Sequence, residues 1–483
     1  MNAALTELQE ALPAEAVDLT DDARFRASLD NLRYSRLPAA VIRPLDEDMV
    51  GTVLVIANRH RIPVVPRGAG SATTGATTPA EGGWVIDLSA WKNLHIDADS
   101  MIAYAQPGVT VEELDRAARE HGLFYPPDPG SKKHATLGGT LACNAGGLRG
   151  AKYGVTRDYV LSLEGCLPTG EFVRWGAPLR KFVAGYNLRD LWIGSEGTLG
   201  VITGAAVRLL PAPTEQATAL LAFASGTAAL EGVRRILRTR RIPSILEFLD
   251  RPSVRGAVSF WKKTAPAKLA SLPLYIRENS PPLLLIECDG NEGRARADLD
   301  ILIESVSGLA EDITISKSPA EAEDLWAVRR GCSQAMFELG DTKLNEDVVV
   351  PLDMQEPLLN FVRQTEREID LPMPVFGHAA DGNFHVHILY YAADTDAAKR
   401  AADGIRRLME FVVENGGAIS GEHGIGLAKT PFLPLQLGEA EIAAMRRIKA
   451  ALDPKNILNP GKLWDQFEIW NHPRTAIRLP WDH

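Results

Sequence analysis

Residues 375–390 read VFGHAADGNFHVHILY. From Phe384 onward, apolar and polar side chains alternate as in a half-buried strand, which would place His385 and His387 on the same face. His378 lies upstream in a loop of small residues that can fold back beside them. The segment therefore predicts a strand that presents several imidazole groups together.

A second segment, residues 421–426, reads GEHGIG and adds Glu422 and His423. Imidazoles and a carboxylate are ligands that divalent metal ions accept, and a histidine beside them is suited to act as a base. Same-face histidines on a strand are also common as surface or hydrogen-bonded core residues. The two segments alone leave a metal site and a structural role equally open.

The composition is that of an ordinary soluble globular protein. The chain has 483 residues, of which 45% are hydrophobic and 24% charged, so two or three domains are expected. The formal net charge is −10, and no basic run appears, which argues against nucleic-acid binding. Apolar runs such as residues 281–286 are far shorter than the ~20 residues of a membrane span.

The cysteines and the N-terminus indicate the cytosol. The N-terminal segment is acidic and amphipathic and lacks the basic and apolar regions of a signal peptide. The four scattered cysteines form neither a CxxC pair nor a disulfide framework, and they supply no iron–sulfur cluster. We expect a cytoplasmic protein that reaches a membrane surface only through a partner.

Several loops are rich in glycine and small residues. Residues 67–78, RGAGSATTGATT, follow a short predicted strand and can turn backbone N–H groups inward as an anion-binding nest. The loop lacks the Gly-Lys-Ser/Thr of a Walker loop and the third glycine of a Rossmann fingerprint, and a flexible surface loop is an equal alternative. Similar backbone recurs at residues 125–147, 152–154 and 194–203. Together these loops predict one extended ligand held by backbone contacts.

The pattern of apolar and polar residues changes after residue 213. Strand patterns at residues 217–222 and 283–289 alternate with helical ones, which predicts an antiparallel sheet covered by helices. A helix over residues 318–339 is signalled by Ser318 at the N-cap and a proline after it. Arg329 and Ser333 are one turn apart on its face. Further helices are predicted at residues 46–60, 111–122, 397–414 and 439–452.

Six segments in this order resemble the FAD-dependent D-2-hydroxyacid dehydrogenases, a group that includes D-lactate dehydrogenase, the glycolate oxidase flavoprotein subunit and D-2-hydroxyglutarate dehydrogenase. They are PRGAGSATTG, PPDPGSKKHATLGGTLACNAGG, GSEGTLGVIT, FGHAADGNFHVHI, GEHGIG and DPKNILNPGK. The resemblance covers residues 38–465 and places the chain within the vanillyl-alcohol-oxidase type of flavoprotein.

The resemblance implies an α+β fold with a two-subdomain FAD-binding domain, a ferredoxin-like antiparallel-sheet cap and a C-terminal segment that returns to the FAD domain. The implied parts are a helical arm at 1–37, the FAD domain at 38–212, the cap at 213–418, the returning segment at 419–465 and a tail at 466–483. Whether the arm docks on the FAD domain or on a partner is left open by the sequence.

The resemblance also implies which residues bind FAD. Relatives that attach FAD covalently carry a histidine in the first loop, where this chain has Gly70-Ser71-Ala72, so we expect non-covalent FAD. The implied cofactor contacts are Pro66, Arg67, Gly68, Ala69, Gly70, Ser71, Ala72, Gly75, Pro107, Asp128, Ser131, Thr136, Leu137, Gly138, Gly139, Ala142, Asn144, Gly147, Tyr153, Gly154, Glu196, Gly197, Gly200, Val201, Ile202 and Asn459.

The resemblance assigns the catalytic roles as well. A divalent ion, Zn or Mn, would be held by His378, His385 and Glu422 and would polarise the substrate hydroxyl. His423 would be the base that removes the hydroxyl proton, and Arg329 would clamp the substrate carboxylate. Further substrate contacts are expected from Ser333, Lys343 and His387. For His387, a role as a fourth metal contact is equally open.

The chain also departs from some relatives. Asn345 stands where the 2-hydroxyglutarate enzymes have a lysine, and His387 stands where they have an asparagine. A second substrate carboxylate would be less well compensated, so a monocarboxylate such as D-lactate or glycolate is favoured over D-2-hydroxyglutarate.

Electrons from reduced FAD need an acceptor that this chain does not carry. The resemblance implies an iron–sulfur subunit, an electron-transfer flavoprotein, a cytochrome or a quinone. An oxidase that uses oxygen directly and a non-catalytic FAD-binding subunit are the alternatives, and a homodimer is one of the oligomeric states left open.

Overall fold

The computed structural model describes residues 2–472 together with Thr475 and Leu479. The predicted tail at 466–483 therefore lies partly outside the described residues. The described chain divides into two units, of which the first comprises residues 2–146, 155–212 and 422–472, and the second comprises residues 147–154 and 213–421. Among the described residues, no helix is both long enough and apolar enough to cross a bilayer.

Helices occur throughout both units. Their bounds are α1 Asn2–Ala11, α2 Asp21–Ala27, α3 Glu47–His60, α4 Val111–Arg119, α5 Leu137–Cys143, α6 Gly150–Tyr153, α7 Leu188–Trp192, α8 Gly226–Arg238, α9 Arg251–Thr264, α10 Pro266–Ser271, α11 Leu274–Asn279, α12 Arg294–Ser305, α13 Pro319–Ala335, α14 Gln355–Ile369, α15 Thr395–Glu414, α16 Leu433–Gln436 and α17 Glu439–Leu452. Short 3₁₀ turns lie at Ala14–Ala16, Thr156–Tyr159, Met336–Glu338, Leu352–Met354, Thr430–Phe432 and Ile469–Asn471.

Strands form separate sheets in the two units. Their bounds are β1 Val17–Asp18, β2 Ala40–Ile42, β3 Val64–Arg67, β4 Trp84–Asp87, β5 Leu94–Asp97, β6 Ile102–Ala105, β7 Leu123–Phe124, β8 Val160–Cys166, β9 Phe172–Gly176, β10 Val201–Arg208, β11 Leu210–Pro211, β12 Glu215–Ala222, β13 Ile245–Leu249, β14 Leu283–Gly290, β15 Asp312–Ile315, β16 Thr342–Val349, β17 Val375–His378 and β18 Asn383–Tyr390.

The first unit contains two main sheets. One has the order β1-β2-β4-β3, in which β2, β4 and β3 run parallel and β1 pairs antiparallel with β2. The other is antiparallel with the order β5-β6-β10-β8-β9. Helix α3 begins at an Asp46 N-cap and packs its apolar face, including Val50 and Leu54, into the core of the first sheet.

The N-terminal residues belong to the first unit. Ala4, Leu8 and Leu12 lie on one side of α1 and its end, and they are buried in the same core cluster as α3. Leu8 is fully buried. The question that the sequence left open is thereby answered, because the start of the arm packs on this unit rather than standing apart for a partner.

The second unit is built on one seven-stranded antiparallel sheet with the order β15-β12-β14-β13-β17-β18-β16. One face carries the core formed with α9 and α13, where Leu285 and Phe376 meet Val254 and Val328. Helices α8 and α15 pack on the other face of the sheet. A Cβ on Gly404 of α15 would lie 3.0 Å from Ile388 of β18, and a Cβ on Gly232 of α8 would lie 3.4 Å from Leu284 of β14. The sheet therefore has helices on both faces.

The prediction of a half-buried strand at residues 384–389 is wrong in one respect. The strand exists as β18 and the alternation of its side chains is as expected, but every residue from Asn383 to Tyr390 is buried. The polar members of the alternation, His385 and His387, face the side that α13 covers rather than solvent. Coverage of both faces by helices removed the solvent-exposed side that alternation usually signals.

The C-terminal helix α17, whose predicted bounds are observed, is fixed by a buried ammonium group. Lys449 donates to the carbonyl oxygens of Thr198 and Leu458 at 2.7 and 2.8 Å and pairs with Asp453. Burial lowers the pKa of Lys449, and the charge of Asp453 opposes this effect. The same Asp453 carboxylate accepts from the N–H groups of Ile457 and Leu458, so one ion pair ties α17 to the segment that follows it.

We predict that Lys449→Met lowers the free energy of unfolding by about 3 kcal/mol, because Asp453 would be left buried without its cation. Urea denaturation followed by circular dichroism measures the change. Lys455→Met, at an exposed lysine that meets only the Asn58 carbonyl, is the matched control and should change stability by less than about 0.5 kcal/mol. Equal effects of the two substitutions would contradict this role.

Candidate functional site

One face of the second-unit sheet gathers polar side chains from neighbouring strands. In the antiparallel register, Asp347 of β16 is opposite His385 of β18, and Asn345 is opposite His387. Glu247 of β13 is opposite His378 of β17. Because paired residues project to the same face, four strands bring these side chains to one region beside α13.

Glu247 is the centre of this region, and the sequence analysis did not identify it. Its carboxylate is fully buried and accepts hydrogen bonds from the Nδ1 atom of His378 and from the Nε atom of Arg329. Burial by itself would raise the pKa of Glu247, but the charges of His378 and Arg329 outweigh it and bring the pKa to about 2. Two predicted functional residues are thus held by a single carboxylate.

His378 and His385 are arranged as a metal would require. Their rings lie 5.3 Å apart at an interplanar angle of 89°, and their ligating atoms come within 4.8 Å of each other. The hydrogen bond from Nδ1 to Glu247 fixes the His378 tautomer, so Nε2 would be the coordinating atom, which is the usual arrangement of a metal-bound histidine. The donor set of this unit therefore fits a divalent ion.

Asp347 is a second buried carboxylate that sequence reasoning missed. It accepts from the Gly421 backbone N–H at 2.8 Å, from the Ser420 hydroxyl at 3.0 Å and from the Asn383 side chain at 2.6 Å. Its ligating oxygen also lies within 4.8 Å of a ring nitrogen of His385. These bonds attach the end of the second unit to β16, and the predicted metal ligand Glu422 is the next residue of the chain.

The predicted substrate residues divide into two groups. Arg329 lies 4.6 Å above the Phe376 ring, and the same ring stacks on His387 at 4.8 Å. Ser333 is exposed, and its carbonyl and hydroxyl oxygens each accept from the Lys343 ammonium group at 3.1 Å. Arg329 and His387 therefore share one aromatic platform, whereas Ser333 and Lys343 bind each other.

In the first unit, the glycine-rich loop at residues 67–78 has one internal backbone hydrogen bond among the described residues, from the Thr78 N–H to the Gly75 carbonyl at 3.2 Å. None of the backbone N–H groups of residues 68–74 donates to another described residue. Some of its carbonyl groups are bound from outside the loop, since Thr74 accepts from Leu427 and Ala428, and Ala76 accepts from the Asn459 side chain. N–H donors without a described acceptor are compatible with the anion nest, which stays a prediction.

Close packing explains the first glycine of this loop. A Cβ on Gly68 would lie 2.1 Å from the Thr136 hydroxyl, which itself caps α5 by accepting from Gly139 at 3.4 Å. Asn459 is buried behind the loop, and its Oδ1 atom has no hydrogen-bond partner among the described residues. An available acceptor beside a row of available donors fits a ligand with phosphate and amino or hydroxyl groups.

Glu196 fixes the loop that carries Glu422 and His423. Its buried carboxylate accepts from the N–H groups of Ile425 and Gly426, each at 2.7 Å, and burial raises its pKa against the effect of these bonds. The Glu422 carboxylate and the His423 Nε2 atom are 3.8 Å apart. The side chain of Glu196, predicted as a cofactor contact, is therefore bound to this loop.

The other predicted cofactor residues are distributed over both units. Most lie in the first unit, whereas Gly147, Tyr153 and Gly154 lie in the second. There the Tyr153 hydroxyl donates to the buried Asp289 carboxylate at 2.9 Å, which Lys152 also binds.

Two protein families match consecutive parts of the chain. The FAD binding domain family matches residues 38–176, and the family of FAD linked oxidases, C-terminal domain, matches residues 212–463. The glycolate oxidase subunit GlcD of Bacillus subtilis is 39% identical over 435 residues, covering 89% of this chain and 90% of that protein. The D-lactate dehydrogenase of Anaerostipes hadrus is 35% identical over 435 residues, covering 88% and 89%.

A solved structure supports the fold. The 4-ethylphenol oxidase from Gulosibacter chungangensis superposes with a TM-score of 0.76 at 19% identity, covering 97% of each chain. At this identity the likeness concerns the fold alone. The resemblance and the fold class that the sequence predicted are both confirmed.

We predict that Glu196→Ala lowers the free energy of unfolding by about 2 kcal/mol, because the N–H groups of Ile425 and Gly426 would lose a charged acceptor. Thermal and urea unfolding measure the change. Glu171→Ala removes an exposed carboxylate that meets only the Thr169 hydroxyl, and it should leave stability nearly unchanged. A Glu196→Ala protein as stable as this control would show that the carboxylate does not hold the loop.

Proposed function

The chain belongs to the FAD-linked oxidase family that includes the FAD-dependent D-2-hydroxyacid dehydrogenases, and from this we propose that it oxidises a D-2-hydroxyacid monocarboxylate to the corresponding 2-oxoacid. It is an FAD-linked oxidoreductase with the fold of the vanillyl-alcohol-oxidase type. The relatives are named for glycolate and D-lactate, and both compounds carry a hydroxyl on the carbon next to a carboxylate.

The observation that carries the proposal is the shared bond of His378 and Arg329 to Glu247. A 2-hydroxyacid presents a carboxylate and a hydroxyl on adjacent atoms, so its recognition needs a cation and a hydroxyl-activating group at a fixed separation. Glu247 binds both Arg329 and His378, and so holds a cation and a candidate metal ligand at a fixed separation. The Arg329 guanidinium binds the substrate carboxylate, and its contact with Phe376 limits its rotation.

We assign proton removal to His423 and metal binding to His378, His385 and Glu422. The last residue follows Gly421, which is bonded to Asp347, so its backbone lies within about 4 Å of that anchored position. A redox-inert divalent ion at these donors, Zn or Mn, would lower the pKa of the substrate hydroxyl so that a neutral imidazole could accept its proton. His387 lies beside Phe376 and contacts the substrate or the ion.

The glycine-rich loops hold FAD without a covalent bond. The N–H groups of residues 68–74 bind the pyrophosphate, and this loop contains no histidine or cysteine that could attach the cofactor. When bound, FAD supplies the acceptor for the hydride that leaves the substrate α-carbon. The chain's own contribution is to fix the cofactor on one loop system and the hydroxyacid on the polar sheet face.

A monocarboxylate is favoured by the neutral residue opposite His387 and by the bound state of the lysine two positions earlier on the same strand. Asn345, directly opposite His387, is neutral, and the Lys343 ammonium group is bound by Ser333 and lies 5.0 Å from the Phe337 ring. A dicarboxylate would place a second charge beside an amide, which compensates it poorly. D-Lactate and glycolate are therefore preferred to D-2-hydroxyglutarate.

Reduced FAD passes its electrons to a separate acceptor. An iron–sulfur subunit, an electron-transfer flavoprotein, a cytochrome or a quinone would serve, and cytoplasmic location with contact to a membrane through such a partner is compatible with this role. Direct reduction of oxygen is the alternative, and rapid peroxide formation during turnover would identify it.

We predict that D-lactate or glycolate bleaches the flavin absorbance of the purified protein under anaerobic conditions, whereas L-lactate does not. Bleaching reports reduction of FAD by the hydroxyacid. The His423→Ala variant should remain yellow, because its FAD loop is intact, but should lose at least 100-fold in the rate of flavin reduction.

A protein that binds flavin but is bleached by neither D-lactate nor glycolate would contradict the proposed substrate class. A His423→Ala variant that is reduced at the wild-type rate would contradict the assignment of the base. His121→Ala, at an exposed histidine after α4, is the matched control and should be reduced normally.

We predict that removal of divalent metal abolishes flavin reduction and that Zn or Mn restores it. Glu247→Gln should weaken metal affinity about 10- to 100-fold, because the carboxylate that orients His378 is lost. Metal content by mass spectrometry and titration of the stripped protein with Zn measure this. Glu323→Gln, on the exposed side of α13, should bind metal as the wild type does, and full activity after thorough stripping would refute the metal role.

A further inference from the structure

The segment at residues 26–33, here called the N-terminal strap, lies against the glycine-rich loop within the first unit. The Asn31 N–H donates to the Ala72 carbonyl at 2.9 Å, in the middle of the loop. The Arg67 guanidinium, at the start of the loop, donates to the Arg26 carbonyl at 3.2 Å. The strap precedes both family matches, which begin at residues 38 and 212, so neither match assigns it a role.

Asp30 is the side chain through which the strap reaches the end of the loop. It is fully buried, and its Oδ2 atom lies 3.4 Å from the Thr77 N–H and 3.5 Å from the Thr77 hydroxyl. The same hydroxyl accepts from Arg67 at 3.2 Å. Asp30, Thr77 and Arg67 thus form a closed set of contacts that joins the two ends of the loop.

The loop needs such external support because its own backbone provides little. The N–H groups of residues 68–74 donate to no described residue, so internal hydrogen bonds do not define its shape. Its carbonyl groups are held from outside, by Asn31 at Ala72 and by the C-terminal segment at Thr74 and Ala76. External bonds to these carbonyl groups fix the orientation of the peptide planes that begin at Ala72, Thr74 and Ala76.

We propose that the N-terminal strap preorganises the phosphate-binding loop and that Asp30 is a positioning residue for FAD. The strap touches the loop at the Ala72 carbonyl, the Arg67 side chain and the Thr77 N–H and hydroxyl, and so leaves the N–H donors of residues 68–74 for the pyrophosphate. This inference requires FAD binding by the loop but not the identity of the hydroxyacid.

Loss of the strap's contacts should weaken FAD binding more than it weakens the fold. When a ligand must order its binding loop, the entropy lost in the ordering lowers the affinity. A loop that is already ordered avoids this loss. Asp30 is itself costly to bury, and burial raises its pKa to about 6. A residue kept buried at such a cost is expected to have a role beyond general stability.

The test uses the full-length protein after removal of flavin, titrated with FAD while the quenching of flavin fluorescence is recorded. Asp30→Ala and Thr77→Val are each expected to raise the dissociation constant of FAD at least about tenfold. The loss of binding free energy in the double variant should not exceed the sum of the losses in the two single variants, because both residues belong to one set of contacts. Asp21→Ala, at an exposed carboxylate of α2 whose ion-pair partner among the described residues is Arg24, should bind FAD as the wild type does.

A second readout separates positioning from general stability. The melting temperature of each variant is compared with and without saturating FAD, and the rise that FAD produces at a fixed concentration should shrink in Asp30→Ala and Thr77→Val. A lower melting temperature with an unchanged dissociation constant would show that the strap only stabilises the fold, and the proposal would be overturned. If Asp30→Ala does not fold, Thr77→Val and Asp30→Asn decide by the same criterion.

Discussion

A carboxylate buried in a protein interior must be surrounded by cations or N–H donors, and this constraint organises the second unit around Glu247. Its two oxygens are taken by His378 and Arg329, which come from β17 and α13. The side chain therefore fixes the rotation of the helix relative to the sheet and the tautomer of the imidazole at once. Without it, the Arg329 guanidinium would lose its carboxylate partner on a face that α13 shields from water, and the His378 imidazole would lose the acceptor that orients it.

The first unit applies the same principle to backbone groups. Glu196 accepts from consecutive N–H groups of the loop after His423, while Asn459 and the residues after Gly426 supply donors to the carbonyl groups of the glycine-rich loop. The loop after His423 is therefore bound through its N–H groups, whereas the glycine-rich loop is bound through its carbonyl groups. What remains on the second loop is a row of donors, which suits an anionic cofactor.

Local signals in the sequence were sufficient for the elements but not for the contacts between them. Ser318 does cap α13, and α17 occupies its predicted residues, because capping and amphipathic periodicity act over one or two turns. Glu247 and Asp347 carried no such signal, since each sits inside a strand and its partners are far along the chain: Glu247 and His378 are separated by 131 positions. Burial of both faces of β18 likewise depends on helices that pack from distant parts of the sequence.

The first unit is built from segments that are separated in sequence by the second unit, and this arrangement has a consequence for biosynthesis. The glycine-rich loop leaves the ribosome early, but the Asn459 amide that binds its Ala76 carbonyl follows 383 positions later, after the whole second unit. A nascent or prematurely terminated chain therefore carries the loop without its C-terminal supports. We therefore expect cofactor loading to await the C-terminal segment, so that incomplete chains would be left without flavin and exposed to quality-control proteolysis.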